Sequence, residues 1–238
     1  GKPDLITIDA VMRAQVDPII QARAGPPTTQ GNRGFITVLF ANSGFASFLK
    51  NILCQMERVR SINYTVIAFD EDTCTSGVPP IAKESASCVF PYAHKPLLTK
   101  NGTAYYRSLD FNRMVMQRPL WILHMLQRGY ETLQVDLDVA WLADPRSLFA
   151  SARYARHDML FQSEGGHGYN AGFYFARPKA GTIEVLKHWI ADLEYRAGSD
   201  TFEEQHSLAR SLQRRDRAVN LQLGKLNISH FPNGKIWY

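Results

Sequence analysis

Val135-Asp136-Leu137-Asp138-Val139 is the segment from which the rest of the chain falls into place. Two carboxylates at i and i+2 of an extended segment project to the same side. They stand where an apolar run, Thr132–Val135, gives out, and open α/β sheets bind ligands at the carboxyl ends of their strands. Like charges repel, and keeping both acids ionised among Leu133, Val135, Leu137, Val139, Trp141 and Leu142 is costly unless a cation lies between them. Oxygen ligands select a hard ion, Mn2+ or Mg2+. Such an ion can bridge to the two phosphates of a nucleotide sugar and offset charge growing on the departing diphosphate. An isolated D-x-D is also a common solvated turn, so the apolar surroundings carry the metal-binding reading.

Upstream, Phe35–Phe40 (FITVLF) and Tyr64–Phe69 (YTVIAF) are short apolar runs rich in β-formers, the pattern of strands buried on both faces. Between them Phe45, Phe48, Leu49, Ile52, Leu53, Met56 and Val59 form a one-sided helical stripe that Asn42 or Ser43 can cap. Strand–helix–strand in this order predicts a βαβ unit and hence an α/β fold with a mostly parallel central sheet flanked by helices. Residues 4–23 have near-helical apolar spacing and end at Gly25-Pro26-Pro27. Residues 71–104 read as loop, with Pro79, Pro80, Pro91, Pro96 and Gly102. A helix is predicted from Asp110 to Gln127, kinked or split at Pro119 and stopped by Gly129. Strands follow at Thr132–Val135, Met159–Gln162 and Gly172–Ala176. Helices follow with Ile183, Leu186, Trp189, Ile190 and Leu193 on one face, and from a cap at Asp200 or Thr201 to about Arg214. Val219–Ile236 reads as short strands and turns. The expected organisation is an N-terminal helix and linker, 1–33, followed by a catalytic domain, 34–238.

Three further places carry candidate chemistry. In Tyr169-Asn170-Ala171-Gly172-Phe173 the glycine lets backbone approach a ligand, and Asn170 offers an amide to sugar hydroxyls. Glu203-Glu204-Gln205 opens a helix; Glu204 or Gln205 there can stabilise positive charge at an anomeric carbon or orient an acceptor. Asp70 and Asn42 end their strands and are placed to hold a base or ribose. Each of these also reads as an ordinary turn or helix-terminus residue.

The 238 residues carry a net charge of +5. Arg214, Arg215 and Arg217 cluster at a helix end, but basic residues are not interleaved with aromatics as in nucleic-acid binders, so no nucleic-acid partner is expected. A mild positive balance suits an anionic nucleotide. No apolar run approaches the length of a bilayer span, and the opening Gly1-Lys2-Pro3 reads as an internal start. Membrane attachment is therefore expected only through an anchor outside this sequence. None of Cys54, Cys74 and Cys88 forms a C-x-x-C pair, which argues against zinc. Cys54 is expected to be a buried thiol, whereas Cys74 and Cys88 flank a Pro/Ser-rich loop and are placed for a disulfide. Sequons at Asn63-Tyr64-Thr65, Asn101-Gly102-Thr103 and Asn227-Ile228-Ser229 point with it to a secretory compartment.

Several stretches recur together: Ala41-Asn42 after the first strand, Val66–Glu71, Arg118-Pro119, Gly129-Tyr130, and Val135–Pro145 with its D-x-D-x-x-W-x-x-x-P spacing. Asn170-Ala171-Gly172-Phe173-Tyr174, Trp189, Glu204-Gln205 and Phe231-Pro232-Asn233-Gly234 complete the set. Together they resemble the nucleotide-diphospho-sugar transferase domain of glycosyltransferase family 77, which includes plant xylosyl- and arabinosyltransferases and slime-mould galactosyltransferases. The resemblance implies a GT-A fold, Mn2+ and retaining transfer of a galactose-, xylose- or arabinose-class sugar. The donor would be a UDP-sugar and the acceptor a glycan or glycoprotein. It places the activity in the Golgi or secretory lumen, as the soluble part of a type II membrane protein. It makes Asp136 and Asp138 the metal and phosphate ligands, with Asn42 and Asp70 on uridine. It also puts Ala41, Arg118, Leu137, Ala171 and Gly172 around the donor, and Asn170, Glu204 and Gln205 at the donor sugar. Two departures stand out. The histidine metal ligand expected after the F-P-x-G block is absent before Tyr238, and Arg118 stands where many relatives are expected to have lysine. The competing readings are a D-x-D phosphohydrolase or phosphotransferase and a non-catalytic nucleotide-sugar-binding module.

Overall fold

Strand β1, Gly34–Ala41, is buried along its whole length, so its alternating side chains must feed two cores. Ile36, Val38 and Phe40 enter the core on one face of the sheet, and Phe35, Leu39 and Ala41 enter the core on the other. The computed structural model describes residues 6–79, 87–98, 108–164, 168–197, 203–214 and 220–232. Within them β2 (Tyr64–Ala68), β3 (Ser87–Val89), β4 (Tyr130–Val135), β5 (Met159–Ser163), β6 (Tyr169–Ala176) and β7 (Leu223–Lys225) join β1 in one sheet of order β3-β2-β1-β4-β6-β5-β7. β3, β2, β1 and β4 run parallel, β6 is antiparallel to β4 and β5, and β7 is parallel to β5.

Helices cover both faces. α2 (Ala46–Arg58) buries Leu49, Ile52, Leu53 and Met56 against one face, each contributing about 2 kcal/mol. α1 (Ala10–Arg23), α4 (Leu109–Gln127), α6 (Ala180–Arg196) and α7 (Glu204–Arg214) cover the other. Two short helices, α3 (Glu71–Ser76) and α5 (Arg146–Phe149), follow the ends of β2 and of the segment after β4. The chain order leaves β1 in opposite directions toward β2 and β4, which makes the β1/β4 junction a topological switch point. The carboxyl ends of β1, β2 and β4 and the amino end of β6 meet at that rim. Buried Glu131 of β4 ties the 25–33 segment down, accepting from Thr28 N at 2.6 Å and Asn32 Nδ2 at 2.7 Å.

Several local expectations are corrected. α1 begins at Ala10 rather than near residue 4, because Asp9 caps it by accepting from Met12 N. Neither Asn42 nor Ser43 caps α2 through its side chain; Ser43–Phe45 instead form a 3-10 turn. Phe45 and Phe48, expected in the core stripe, are 41% and 47% exposed, because the start of α2 overhangs the sheet's rim. Cys54 is half-buried. The expected loop at 71–104 contains α3 and β3, stapled by a Cys74–Cys88 disulfide. α4 runs unbroken through Pro119. The expected caps Asp200 and Thr201, and Arg215 and Arg217, lie outside the described residues.

Candidate functional site

β4 ends at Val135, and Asp136, Leu137 and Asp138 turn away from the sheet at the switch point. Asp136 N donates to Gly172 O at 2.7 Å, which extends the β4–β6 ladder one step beyond the strand. That pairing brings the Asp136 carboxylate directly over Gly172. A Cβ at position 172 would stand 2.0 Å from Asp136 Oδ2, so the glycine is required by the acid it faces. Leu137 points inward, 9% exposed, and the two flanking acids line the same cleft. Partial burial and the neighbouring Asp136 carboxylate raise the Asp138 carboxyl above its ordinary range.

Arg118 reaches the cleft from α4. Its guanidinium donates to Asp136 Oδ1 at 2.9 Å and Ala171 O at 3.2 Å and lies 3.2 Å from Glu204 Oε2. A lysine could not hold three acceptors in a planar fork, so the arginine here is a specific choice. Burial disfavours its charge, but Asp136 and Glu204 outweigh that and lift its pKa further. Burial pushes the Glu204 carboxyl up to about 8 against the pull of Arg118. Tyr174 lies behind this pair; burial, then Glu204, raise its phenol well above the ordinary value. Trp189 Nε1 donates to Glu204 O at 3.2 Å and so fixes the start of α7 from α6.

The cleft has two lobes, each about 320 Å³, which share Phe111, Val115, Arg118 and Asp136. The first is largely apolar and is walled by Phe40, Phe45, Phe48, Phe69 and Met114, with Ala41, Asn42, Leu137 and Asp138. Asn42 is 1% exposed; its Nδ2 faces Met114 Sδ at 3.5 Å, and its Oδ1 is buried without a hydrogen bond. A buried acceptor left unpaired beside an apolar slot suits a flat heterocycle carrying an N–H. The second lobe is polar, lined by Asn170, Ala171, Gly172, Glu203, Glu204 and Gln205. Gln205 Oε1 accepts from Ala171 N at 3.3 Å. Asn170 Oδ1 accepts from Gly172 N and Phe173 N, and its Nδ2 donates to Glu164. Both amides therefore also shape the lobe's floor.

Of the residues singled out in the sequence, all but Asp70 line these lobes. Asp70 is 5% exposed and stands behind the wall. Its Oδ1 accepts from Thr73 N and Oγ1, and its Oδ2 accepts from Ser43 N and Oγ. It thereby caps α3 and holds the turn after Asn42. Sequence reasoning missed the aromatic wall and named Glu203 without giving it a role. Phe111, Met114, Val115 and Arg118 follow i, i+3, i+4, i+7, so the helical face carrying Arg118 was the available signal.

The residues present fit a hard divalent cation. Arg118 is the only cation among the described lining residues, and Asp136 already takes it, so Asp138 leaves the cleft negative. A diphosphate would be repelled there without added positive charge. Among the described residues no cluster of three or more His, Cys, Asp or Glu could hold a metal. Two carboxylates with donor phosphates completing the shell is a usual arrangement for Mg2+-type ions.

The family model for nucleotide-diphospho-sugar transferases matches residues 61–237. The chain is 26% identical over 223 residues to the beta-arabinofuranosyltransferase RAY1 of Arabidopsis thaliana, covering 83% of this chain and 39% of that protein. It is 23% identical over 222 residues to a UDP-D-xylose:L-fucose alpha-1,3-D-xylosyltransferase of the same plant, covering 86% and 59%. Against the UDP-galactose:fucoside alpha-3-galactosyltransferase of Dictyostelium discoideum it is 22% identical over 163 residues, covering 61% and 25%. The chain thus spans less than two thirds of the length of each. A solved structure of an active-site mutant of LgtC superposes with a TM-score of 0.50 at 12% identity, covering 81% of this chain and 73% of that one. The shared architecture is GT-A.

Proposed function

The chain belongs to the nucleotide-diphospho-sugar transferase family, of the glycosyltransferase family 77 type, and from that premise we propose that it transfers a sugar from a UDP-sugar to a glycan or glycoprotein acceptor. The observation that carries this reading is the cleft in which an apolar lobe and a polar lobe meet at Asp136 and Arg118. The apolar lobe takes the uracil, with Asn42 Oδ1 accepting its N3–H and Phe45 and Phe48 covering its face. The polar lobe takes the sugar, where Asn170, Glu203 and Gln205 meet hydroxyls. The diphosphate lies between them. Asp136 and Asp138 would hold a divalent cation, Mn2+ or Mg2+, which would supply charge neutralisation for the diphosphate.

Arg118 holds the Asp136 carboxylate in place by a fixed fork, so that acid is positioned before the donor arrives. Glu204 is poorly suited to attack the sugar: its Oε2 is on Arg118 and its carboxyl is held protonated to about pH 8. We therefore favour retention by departure and attack on one face of the sugar, with Glu204 supporting Arg118 rather than forming a bond. The catalytic chain works in the Golgi or another secretory lumen; the Cys74–Cys88 disulfide supports an oxidising compartment. No described helix is long and apolar enough to cross a membrane.

UDP release measured across UDP-galactose, UDP-xylose, UDP-glucose and UDP-arabinofuranose, with Mn2+ or EDTA, tests the reading. One donor should be turned over, EDTA should stop it, and Asp138→Asn should abolish it with the fold intact. Undiminished turnover by that variant counts against the assignment. UDP binding without turnover of any donor supports the non-catalytic module instead. The phosphohydrolase alternative loses its basis, because the chain's family and its GT-A architecture are those of sugar transferases.

A further inference from the structure

We propose that Asn227 is a site of N-linked glycosylation, an inference that rests on the lumenal part of the reading above. The structure separates the chain's sequons. Asn63 Nδ2 donates to Arg23 O at 3.0 Å, and Asn63 Oδ1 accepts from Arg146 Nη1 at 2.9 Å. Its threonine, Thr65, is 0% exposed inside β2, and a Cβ on Gly25 would stand 2.5 Å from Asn63 Cγ. That amide is held and walled in. Asn101 lies outside the described residues.

Asn227 is different. It follows the edge strand β7 by two residues, and the turn it opens is exposed, with Ile228 at 43% and Ser229 and His230 in solvent. The backbone is anchored: Asn227 N donates to Tyr154 Oη at 3.0 Å, and Asn227 O accepts from His230 N and Phe231 N. Asn227 Oδ1 accepts from Ser229 N at 2.9 Å and from Ser229 Oγ at 2.6 Å. Ser229 thus polarises the amide, and Nδ2 donates no hydrogen bond among the described residues. The substrate is an oligosaccharide on a lipid-diphosphate carrier, delivered by a lumenal oligosaccharide-transferring enzyme. A bond forms between Asn227 Nδ2 and the anomeric carbon, the bond from that carbon to the lipid diphosphate breaks, and one amide proton is lost to the enzyme's base.

β7 ends on the same rim as β4, with β6 and β5 between them, so the Asn227 backbone stands about 14 Å along the rim from Asp136. Asn227 is not among the residues that line the cleft. The test is to secrete the whole chain from cultured animal cells behind a cleavable signal sequence, which enforces lumenal passage whatever its native address. The glycans are then released by an amidase in heavy-oxygen water, and the labelled aspartates are mapped by peptide mass spectrometry. Label at Asn227 and none at Asn63 is expected. Asn227→Gln and Ser229→Ala should each remove the Asn227 glycan, and Ser229→Thr should keep it. An unlabelled Asn227 in the secreted wild-type chain, which needs no variant to fold, overturns the proposal. Donor turnover is assayed on the same material; label at Asn227 without turnover of any donor supports the glycosylation while counting against the transferase reading.

Discussion

Replacing Gly172 by alanine tests whether the Asp136 carboxylate must lie where the structure puts it. The added methyl would stand 2.0 Å from Oδ2 and 2.5 Å from Cγ, with Asn170 Oδ1 at 3.1 Å on another side. Ordinary carbon contacts begin near 3.5 Å, so the carboxylate has to retreat by about 1.5 Å. It is not free to do so, because Oδ1 is on Arg118 and the backbone N–H is on Gly172 O. Overpacking of this kind costs about 1–3 kcal/mol. Moving a positioning group by an ångström costs turnover about 100-fold. Urea unfolding reads the first quantity, and initial UDP release on the accepted donor, at a temperature where the variant is fully folded, reads the second. A folded Gly172→Ala protein whose turnover stays within about twofold of wild type would refute the reasoning, since Asp136 would then be displaced without consequence.

Removing the shared cation should be worse for stability than for any surface ion pair. Arg118→Met removes the donors to half-exposed Asp136, to Ala171 O and to the protonated Glu204 carboxyl and should cost about 1–3 kcal/mol by chemical denaturation, with Arg118→Lys recovering only part of it. Reducing Cys74–Cys88, whose sequence separation is 14, should cost about 3 kcal/mol, read as a lowered urea midpoint in reductant that a Cys88→Ser variant does not show further. Glu204 titrates near 8 when folded, above its usual value of about 4.3, so its contribution to stability is complete below about pH 4.3 and is lost as pH rises through 8. Glu204→Gln cannot titrate, and its stability relative to wild type should climb across that window and then level off. A pH-independent difference between the two would show that the carboxyl is not held protonated.

The strand–helix–strand opening, the helix bearing Arg118 and the acid pair after β4 were all legible in the linear sequence. Apolar period and the point where an apolar run stops are local properties, written in consecutive residues. The whole-chain resemblance added the GT-A fold, which the sheet order bears out. The sequence could not say which side of a stripe faces a core and which faces a ligand. Phe45 and Phe48 share the period of Leu49 and Ile52, yet only the overhang of α2 beyond the sheet exposes them to the cleft. Nor could it say how a polar side chain spends its hydrogen bonds. Asp70 and Asn42 looked alike at the ends of their strands, but four local donors consume Asp70, while Asn42 keeps a buried acceptor unpaired at the cleft wall. Arg118 of α4, Asp136 just past β4, Gly172 of β6 and Glu204 of α7 come from four separate stretches of the chain. Asp136 meets Gly172 because antiparallel β6 returns beside β4, and Arg118 and Glu204 join them through the packing of α4 and α7, which are facts of topology and not of any local run of residues.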